Sequence, residues 1–247
     1  VVGDKGEVLG IERSERFIAH AEALCASRGL KNVSFQHADV MLDALAVQDA
    51  DAIWCRWLAI FVSDPGLLVR KMAAVVKPGG RLVFHEYVHY ETYQSVPHSA
   101  HLEQFVQHVM DSWREFGGEP NVARTLPGHL AAAGCRLIET RPISFSAQPH
   151  QPVWRWPASF IDINLQRMLE LGQVDAGVVS HVLEHVHHVL GADVARGPRR
   201  ERTSAEAGQR TVEGSHARLD AGDHVGEAHA ARVVEVKRVV ALVGRRE

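Results

Sequence analysis

Gly6-Glu7-Val8-Leu9-Gly10-Ile11-Glu12-Arg13-Ser14, residues 6–14, decides the reading of this chain. The apolar run Val8 to Ile11 ends on an acid, and Ser14 follows, a residue whose hydroxyl suits a helix N-cap. Beyond it Phe17, Ile18, Ala21, Leu24 and Cys25 recur at the spacing of one helix face until Gly29 stops the pattern. A strand over Glu7 to Glu12, this helix, and a second strand over Val33 to His37 make a βαβ unit.

The alternation continues downstream. Ala50 to Trp54 reads as a short strand, and Ser63-Asp64-Pro65 supplies a cap and a first-turn proline to a helix lined by Leu67, Leu68, Met72, Val75 and Val76. Lys77-Pro78-Gly79-Gly80 ends that helix, and Arg81 to Glu86 is the next strand. Its continuous Leu82-Val83-Phe84 is typical of a strand covered on both faces. A helix from about 98 to 116 carries Leu102, Phe105, Val106, Val109, Met110 and Trp113 on one side and is placed to cap a site. A shorter helix follows over Leu126 to Ala133, then closing strands over Arg136 to Arg141 and Ile143 to Ala147, and a helix from Pro157 to Gly172. The class predicted is α/β: a doubly wound, Rossmann-like, mainly parallel sheet with an antiparallel closing strand.

The two ends of the chain depart from this rhythm. Val1 to Gly6 reads as a turn leading out of a helix that precedes it, so the fold is entered late, without its first strand. After about Gly191 no Phe, Tyr, Trp, Ile, Met, Cys or Asn occurs. The organisation expected is one domain over 1–190, with a helical cap insert over about 90–130, and a low-complexity tail over 191–247. Such a tail buries too little apolar area to offset its ordering entropy and is expected to be irregular, disordered or partly helical. A second reading is a coding frame lost near His187.

Composition narrows the function. With 247 residues, 46% of them hydrophobic, the chain can bury a sizeable core. A formal net charge of -3 gives no basic face for nucleic acid. No apolar run of about eighteen residues and no signal-peptide pattern occurs, so the expectation is a cytoplasmic protein without a membrane partner. Three widely spaced cysteines, Cys25, Cys55 and Cys135, support neither a disulfide framework nor a zinc site.

Doubly wound sheets bind nucleoside ligands at the carboxyl ends of their strands. Glu12 stands at such an end, where its carboxylate can accept both ribose hydroxyl protons. The bland alternative is an acid that favours the dipole of the helix beginning at Ser14. Asp39 lies just beyond the next strand and could accept from an adenine exocyclic amine, or could merely cap a turn. Taken together, the two acids describe an adenosine-shaped site.

Four segments, in this order and spacing, resemble class I S-adenosylmethionine-dependent methyltransferases of the ubiquinone/menaquinone-biosynthesis-like, small-molecule type. They are Gly6 to Ser14, Asn32 to Val40, Asp51 to Trp57, and Lys77 to Glu86. The resemblance spans roughly residues 3 to 175. It implies S-adenosylmethionine as cofactor and a small-molecule methyl acceptor as partner. It also implies ribose binding by Glu12 with Arg13 and Ser14 beside it, adenine binding by Ala38, Asp39 and Val40, and a methionine end near Cys55 and Arg56 with Trp57 as a wall. The family's glycine-rich cofactor loop would lie upstream of Val1; Gly3, Gly6 and Gly10 precede a strand and do not replace it.

On the acceptor side, His85, Glu86 and Tyr87 leave the strand that ends at Glu86, with His89 and Tyr90 in the loop that follows. Any of them could orient a substrate, or simply form a polar strand end and loop. Trp57, Tyr90 and Trp113 are candidate substrate contacts, and Trp154 and Trp156 could add to an apolar cavity, although core packing is the commoner use of such side chains. His181 and His185 share a helical face near His187 and His188, but no carboxylate or cysteine completes a metal set, and no metal is expected. Two alternatives remain. A nicotinamide-dependent dehydrogenase shares the βαβ units but would need a hydride-transfer set such as Tyr-x-x-x-Lys, which is absent. An inactive fragment or interaction module would keep the architecture without the cofactor.

Overall fold

A computed structural model describes residues 2–3, 5–96, 98–144, 146–147, 151–190 and 241–245. Twelve elements are named in chain order: β1 (Val8–Glu12), α1 (Glu15–Ser27), β2 (Val33–His37), β3 (Ala50–Arg56), α2 (Pro65–Val75), β4 (Val76–His85), α3 (Ala100–Glu115), α4 (Leu126–Ala132), β5 (Cys135–Thr140), α5 (Arg155–Glu170), α6 (Ala176–Leu190) and β6 (Ala241–Arg245). They belong to two compact units. One contains the six strands, α1, α2, most of α3, and α4; the other contains residues 95–102, α5 and α6.

Local chemistry sets the element ends. Ser14 Oγ accepts from Phe17 N at 3.4 Å to cap α1, and Gly29 takes a φ of 66° past its end. Asp64 Oδ1 accepts from Leu67 N at 2.8 Å to cap α2, with Pro65 at its first position.

The sheet is α/β with parallel pairings, as predicted, but it is hydrogen-bonded in two pieces. β1 pairs in parallel with β2, Glu12 opposite His37. The second piece has the order β3-β4-β6-β5, with β3 and β4 parallel and β6 antiparallel to both its neighbours. Leu82 and Phe84 of β4 are buried, as their apolar run requires.

Three boundaries differ from the sequence reading. β3 runs on to Arg56, so Cys55 and Arg56 sit in the strand instead of past it. Lys77-Pro78-Gly79-Gly80 lies inside β4, where the register against β3 shifts between Ala50 and Ala52 and Gly79 has a φ of 74°. A Cβ on Gly80 would meet Val76 Cγ2 at 2.6 Å and Lys77 O at 2.9 Å, which explains the glycine pair. The closing antiparallel partner of β5 is β6, from within the tail, and Arg141 to Ser144 are not in a strand. Alternation in one short segment says that a strand can form but not which edge it will meet. Phe145, and residues 191–240 and 246–247 of the tail, lie outside the described residues.

The core of the strand-bearing unit gathers around α2, α3 and α4: Leu68, Val69, Phe105, Val109, Val122 and Leu130 are essentially inaccessible. In contrast, α1 has no buried residue. In the other unit Phe160, Ile161, Leu165 and Met168 of α5 and Val179, Val182 and Val186 of α6 are buried. No helix among the described residues is long and apolar enough to cross a membrane.

Candidate active site

Parallel pairing brings the carboxyl ends of β1 and β2 together, because Glu12 lies opposite His37 and Ala38 N donates to Glu12 O at 3.0 Å. Glu12 Oε1 accepts from Ser14 N at 2.9 Å, and His37 Nε2 contacts Arg13 O at 2.9 Å, tying the start of the α1 turn to β2. Ala38 is buried. Asp39 is a turn former: its Oδ1 accepts from Met41 N at 2.8 Å, and its own N–H donates to Asp43 Oδ2 at 2.8 Å. Each acid therefore does the local capping work that its position suggests. Each also retains a second carboxylate oxygen, Glu12 Oε2 and Asp39 Oδ2, that takes no hydrogen bond among the described residues. Val40 is half-buried beside them.

A second cluster stands at the ends of β3 and β4. Glu86 reaches back from the end of β4 to the loop after β3, and its Oε1 accepts from Leu58 N at 3.0 Å and Ala59 N at 2.9 Å. Both amides belong to the start of a 3-10 turn over Ala59–Phe61. The chain enters that turn through Trp57, whose φ of 50° is rare for a large side chain and is held by Trp57 N donating to His85 O at 3.1 Å. Cys55 Sγ lies 4.0 Å from Glu86 Oε1.

Three polar atoms here are buried without a hydrogen-bond partner: Glu86 Oε2, His85 Nδ1 and Arg56 Nε. Such orphans cost free energy in a folded chain. Burial pushes the Glu86 carboxyl up to about 8, against the two amide donors and the Arg56 charge, which pull it down. Burial and the Arg56 cation lower His85, and burial lowers Arg56 itself. Burial and the Glu86 charge keep the Cys55 thiol protonated, and burial raises Tyr87.

Aromatic rings enclose the cluster. The Arg56 guanidinium sits 3.7 Å from the centroid of Trp57, whose ring stacks on Tyr87 at 5.7 Å and 10°. Tyr87 meets Tyr90 edge-on at 4.8 Å, and Tyr90 meets Trp113 at 4.9 Å. Trp113 in turn packs edge-on against Phe61. Tyr90 and Trp113 are buried, 6% and 8% exposed, so they support the rings in front of them as core residues.

Asn121 escaped the sequence reading. It is buried, its Oδ1 accepts from Tyr90 N at 2.7 Å, and its Nδ2 donates to Glu91 Oε2 at 2.7 Å. Glu91 Oε1 also pairs with His89 Nδ1 at 2.9 Å, which places His89 in a loop brace. That His89 bond, with the Glu91 backbone and Asn121, holds the Glu91 carboxyl down at about 2. A buried Asn beside Pro120 and Val122 is the one linear cue, and it does not name its partners.

Among the described residues no three metal-ligating side chains converge, and the side chains of His187 and His188 lie outside the described residues. His181 stacks on His101 at 4.6 Å and its Nδ1 contacts Gly177 O at 2.7 Å, while His185 Nε2 pairs with Ser95 Oγ at 2.9 Å. Trp154 and Trp156 sit at the start of α5, in the other unit.

Paired strand ends with adjacent acids, followed by strands whose ends carry a polar, ring-lined cluster, stand where doubly wound sheets bind their ligands. The chain belongs to the methyltransferase-domain family, which matches residues 1–134, and with it to the class I, S-adenosylmethionine-dependent methyltransferases. It is similar to the uncharacterized methyltransferase YcgJ of Bacillus subtilis, 28% identical over 192 residues covering 77% of this chain and 65% of that protein. A shorter likeness, 34% over 77 residues, covers 31% of this chain and 32% of the ubiquinone biosynthesis O-methyltransferase of Coxiella burnetii. The chain thus spans less than two thirds of either relative. Among solved structures it is similar to YcgJ of B. subtilis, with a TM-score of 0.46 and 18% identity over 74% of this chain and 68% of that one.

Proposed function

We propose that this protein transfers a methyl group from S-adenosylmethionine to a small-molecule acceptor. The observation that carries the reading is the pair of carboxylate oxygens, Glu12 Oε2 and Asp39 Oδ2, that take no hydrogen bond among the described residues, at neighbouring parallel strand ends in a chain of the methyltransferase family. Both are acceptors, and an adenosine offers donors: two ribose hydroxyls for Glu12 and an exocyclic amine for Asp39. Arg13 and Ser14 would flank the ribose, Ala38 and Val40 the adenine, and Cys55 and Arg56 the methionine end. When bound, the cofactor supplies a methyl group on a positively charged sulfur. The chain has then to hold the acceptor in line with that group and to keep water away. Trp57 and Tyr87, stacked on one another, provide the dry wall, and His85, Glu86 and Arg56 provide polar atoms to orient the acceptor.

Thermal melts with added nucleotide test this. S-adenosylhomocysteine at about a hundredfold its dissociation constant is expected to stabilise the fold by about 2.7 kcal/mol, and NAD not at all. Stabilisation by NAD alone would make the chain a nicotinamide enzyme, and protection by neither would leave a binding fold without this ligand.

A further inference from the structure

Four histidines from two stretches of chain meet within the unit that contains α5 and α6. His98 and His101 stand on the segment 95–102, His101 in the first turn of α3, and His181 and His185 stand one turn apart on α6. Between them lies an open groove of about 450 Å³, whose titratable lining is these four and Glu184, and water reaches the rings through it. The His101 and His181 imidazoles lie face to face, with centroids 4.6 Å apart and planes 18° from parallel. His181 Nδ1 donates to Gly177 O at 2.7 Å, which leaves Nε2 as its basic nitrogen. His101 Nδ1 is buried and has no hydrogen-bond partner.

We infer that His101 and His181 form an acid-sensitive clasp: as neutral rings they stack and hold the first turn of α3 against α6, and protonation of both releases it. The inference is independent of the methyl-transfer reading. One imidazolium can stay stacked on a neutral ring, as a cation sits on an aromatic face. A second charge at 4.6 Å repels the first. Three features sharpen that penalty. With both nitrogens of His101 protonated, its buried Nδ1 becomes a donor without an acceptor. His101 also lies in a first helical turn, where the peptide dipoles disfavour positive charge. Finally, the groove sets one carboxylate against four imidazoles, and that carboxylate, Glu184, is engaged through Oε1 by Ser180 Oγ at 3.1 Å. Among the described residues α5 contributes no side chain to the groove.

Opening takes up protons, so closure is complete above the imidazole range and is lost as pH falls through it, from about 6.5 for an ordinary ring toward about 5. The second tie, between His185 Nε2 and Ser95 Oγ at 2.9 Å, survives acid, because a hydroxyl accepts from an imidazolium as well as it donates to an imidazole. Release is therefore confined to the first turn of α3, which Ser99 Oγ caps by accepting from Leu102 N at 3.2 Å. Glu86 changes global stability in the opposite sense, losing its contribution as pH rises, so the readout has to be local.

The test is nuclear magnetic resonance of the full chain between about pH 7.5 and about pH 5. The ring signals of His101 and His181 should titrate as a coupled pair in two steps. Replacing either residue by Phe, which keeps a stacking ring but takes no proton, should leave the other with a single step. Exchange of the Leu102 amide, corrected for its intrinsic pH dependence and referenced to amides at the centre of α5, should speed up about tenfold at the acid end. His101→Phe and His181→Phe should each abolish that response, and His181 is exposed, so its variant serves if the other does not fold. Independent titration of the two rings, unchanged protection of Leu102 in acid, or an acid response that persists in the Phe variants would each overturn the clasp.

Discussion

Asn121 Oδ1 accepts the backbone N–H of Tyr90 at 2.7 Å across thirty-one positions of sequence, and both groups are buried. This bond fixes the loop on which Tyr87, His89 and Glu91 sit. Its amide nitrogen extends the brace to Glu91, and Ala123 N secures the other side of the loop on Tyr87 O at 3.1 Å.

Asn121→Leu leaves the Tyr90 amide buried and unsatisfied and is expected to destabilise the fold by about 1–3 kcal/mol, read from urea midpoints. Asn121→Asp keeps the acceptor for Tyr90 but faces the Glu91 carboxylate with a second negative charge. It should lose stability mainly in the pH range in which both acids are ionised. Equal stability of all three proteins across pH would contradict the brace.

Glu86 makes stability depend on pH in an unusual direction for a carboxyl. Its value in the fold is about 8 against an ordinary 4.5, so between these limits the folded chain holds a proton that the unfolded chain has lost. The contribution of this group is most favourable below 4.5, declines as pH rises, and levels off above about 8. The steepest slope is about 1.4 kcal/mol per pH unit. Urea midpoints from about pH 5 to about pH 8.5 should fall in the unaltered chain and fall less in Glu86→Gln.

Glu12→Gln and Asp39→Asn each retain the oxygen that caps a local turn, Oε1 for Ser14 N and Oδ1 for Met41 N, and lose the charge that a ligand donor would meet. Each is expected to weaken S-adenosylhomocysteine about 10–100-fold, the value of a hydrogen bond to a charged group, while helix content is unchanged by circular dichroism. Unaltered affinity in both variants would assign these acids to capping alone.

Gly118 has no room for a side chain: a Cβ there would press into the carbonyl oxygen of Ile60 and lie 3.2 Å from Trp113 O. That same Ile60 oxygen accepts from Glu119 N at 3.0 Å, so Gly118→Ala must push apart the turn after β3 and the end of α3. A loss of about 1–3 kcal/mol is expected, with Gly128→Ala, which meets open space, as the matched control.

The elements whose identity lies in local pattern were legible in the sequence. Ser14 and Asp64 cap the helices that they announce, and the apolar spacing on α3 picked out Leu102, Phe105, Val106, Val109, Met110 and Trp113, all of them buried. Glu12 and Asp39 were singled out because strand ends are a positional property. What depends on distant pairing was not legible. The partner of β5 comes from a hundred residues onward, and neither Asn121 with Tyr90 nor Glu86 with Ala59 leaves a spacing to read. The expectation that Tyr90 and Trp113 touch substrate treated an aromatic residue as a surface, whereas both are enclosed by other rings.

The separation of the β1–β2 ladder from the other strands has an energetic meaning. From β1 to the start of β3 the only buried apolar side chain among the described residues is Ala38, so this segment is expected to open at a cost well below that of global unfolding. Its amides should exchange with solvent earliest among the strands of the sheet. On the proposed reading, in which Glu12 and Asp39 hold a nucleoside, the affinity is expected to be the intrinsic one reduced by the fraction of the population in which the half that carries them is closed. Ligand binding and the ordering of this half are a single equilibrium, and a substitution that stiffens β1 or α1 should tighten binding without touching the ligand.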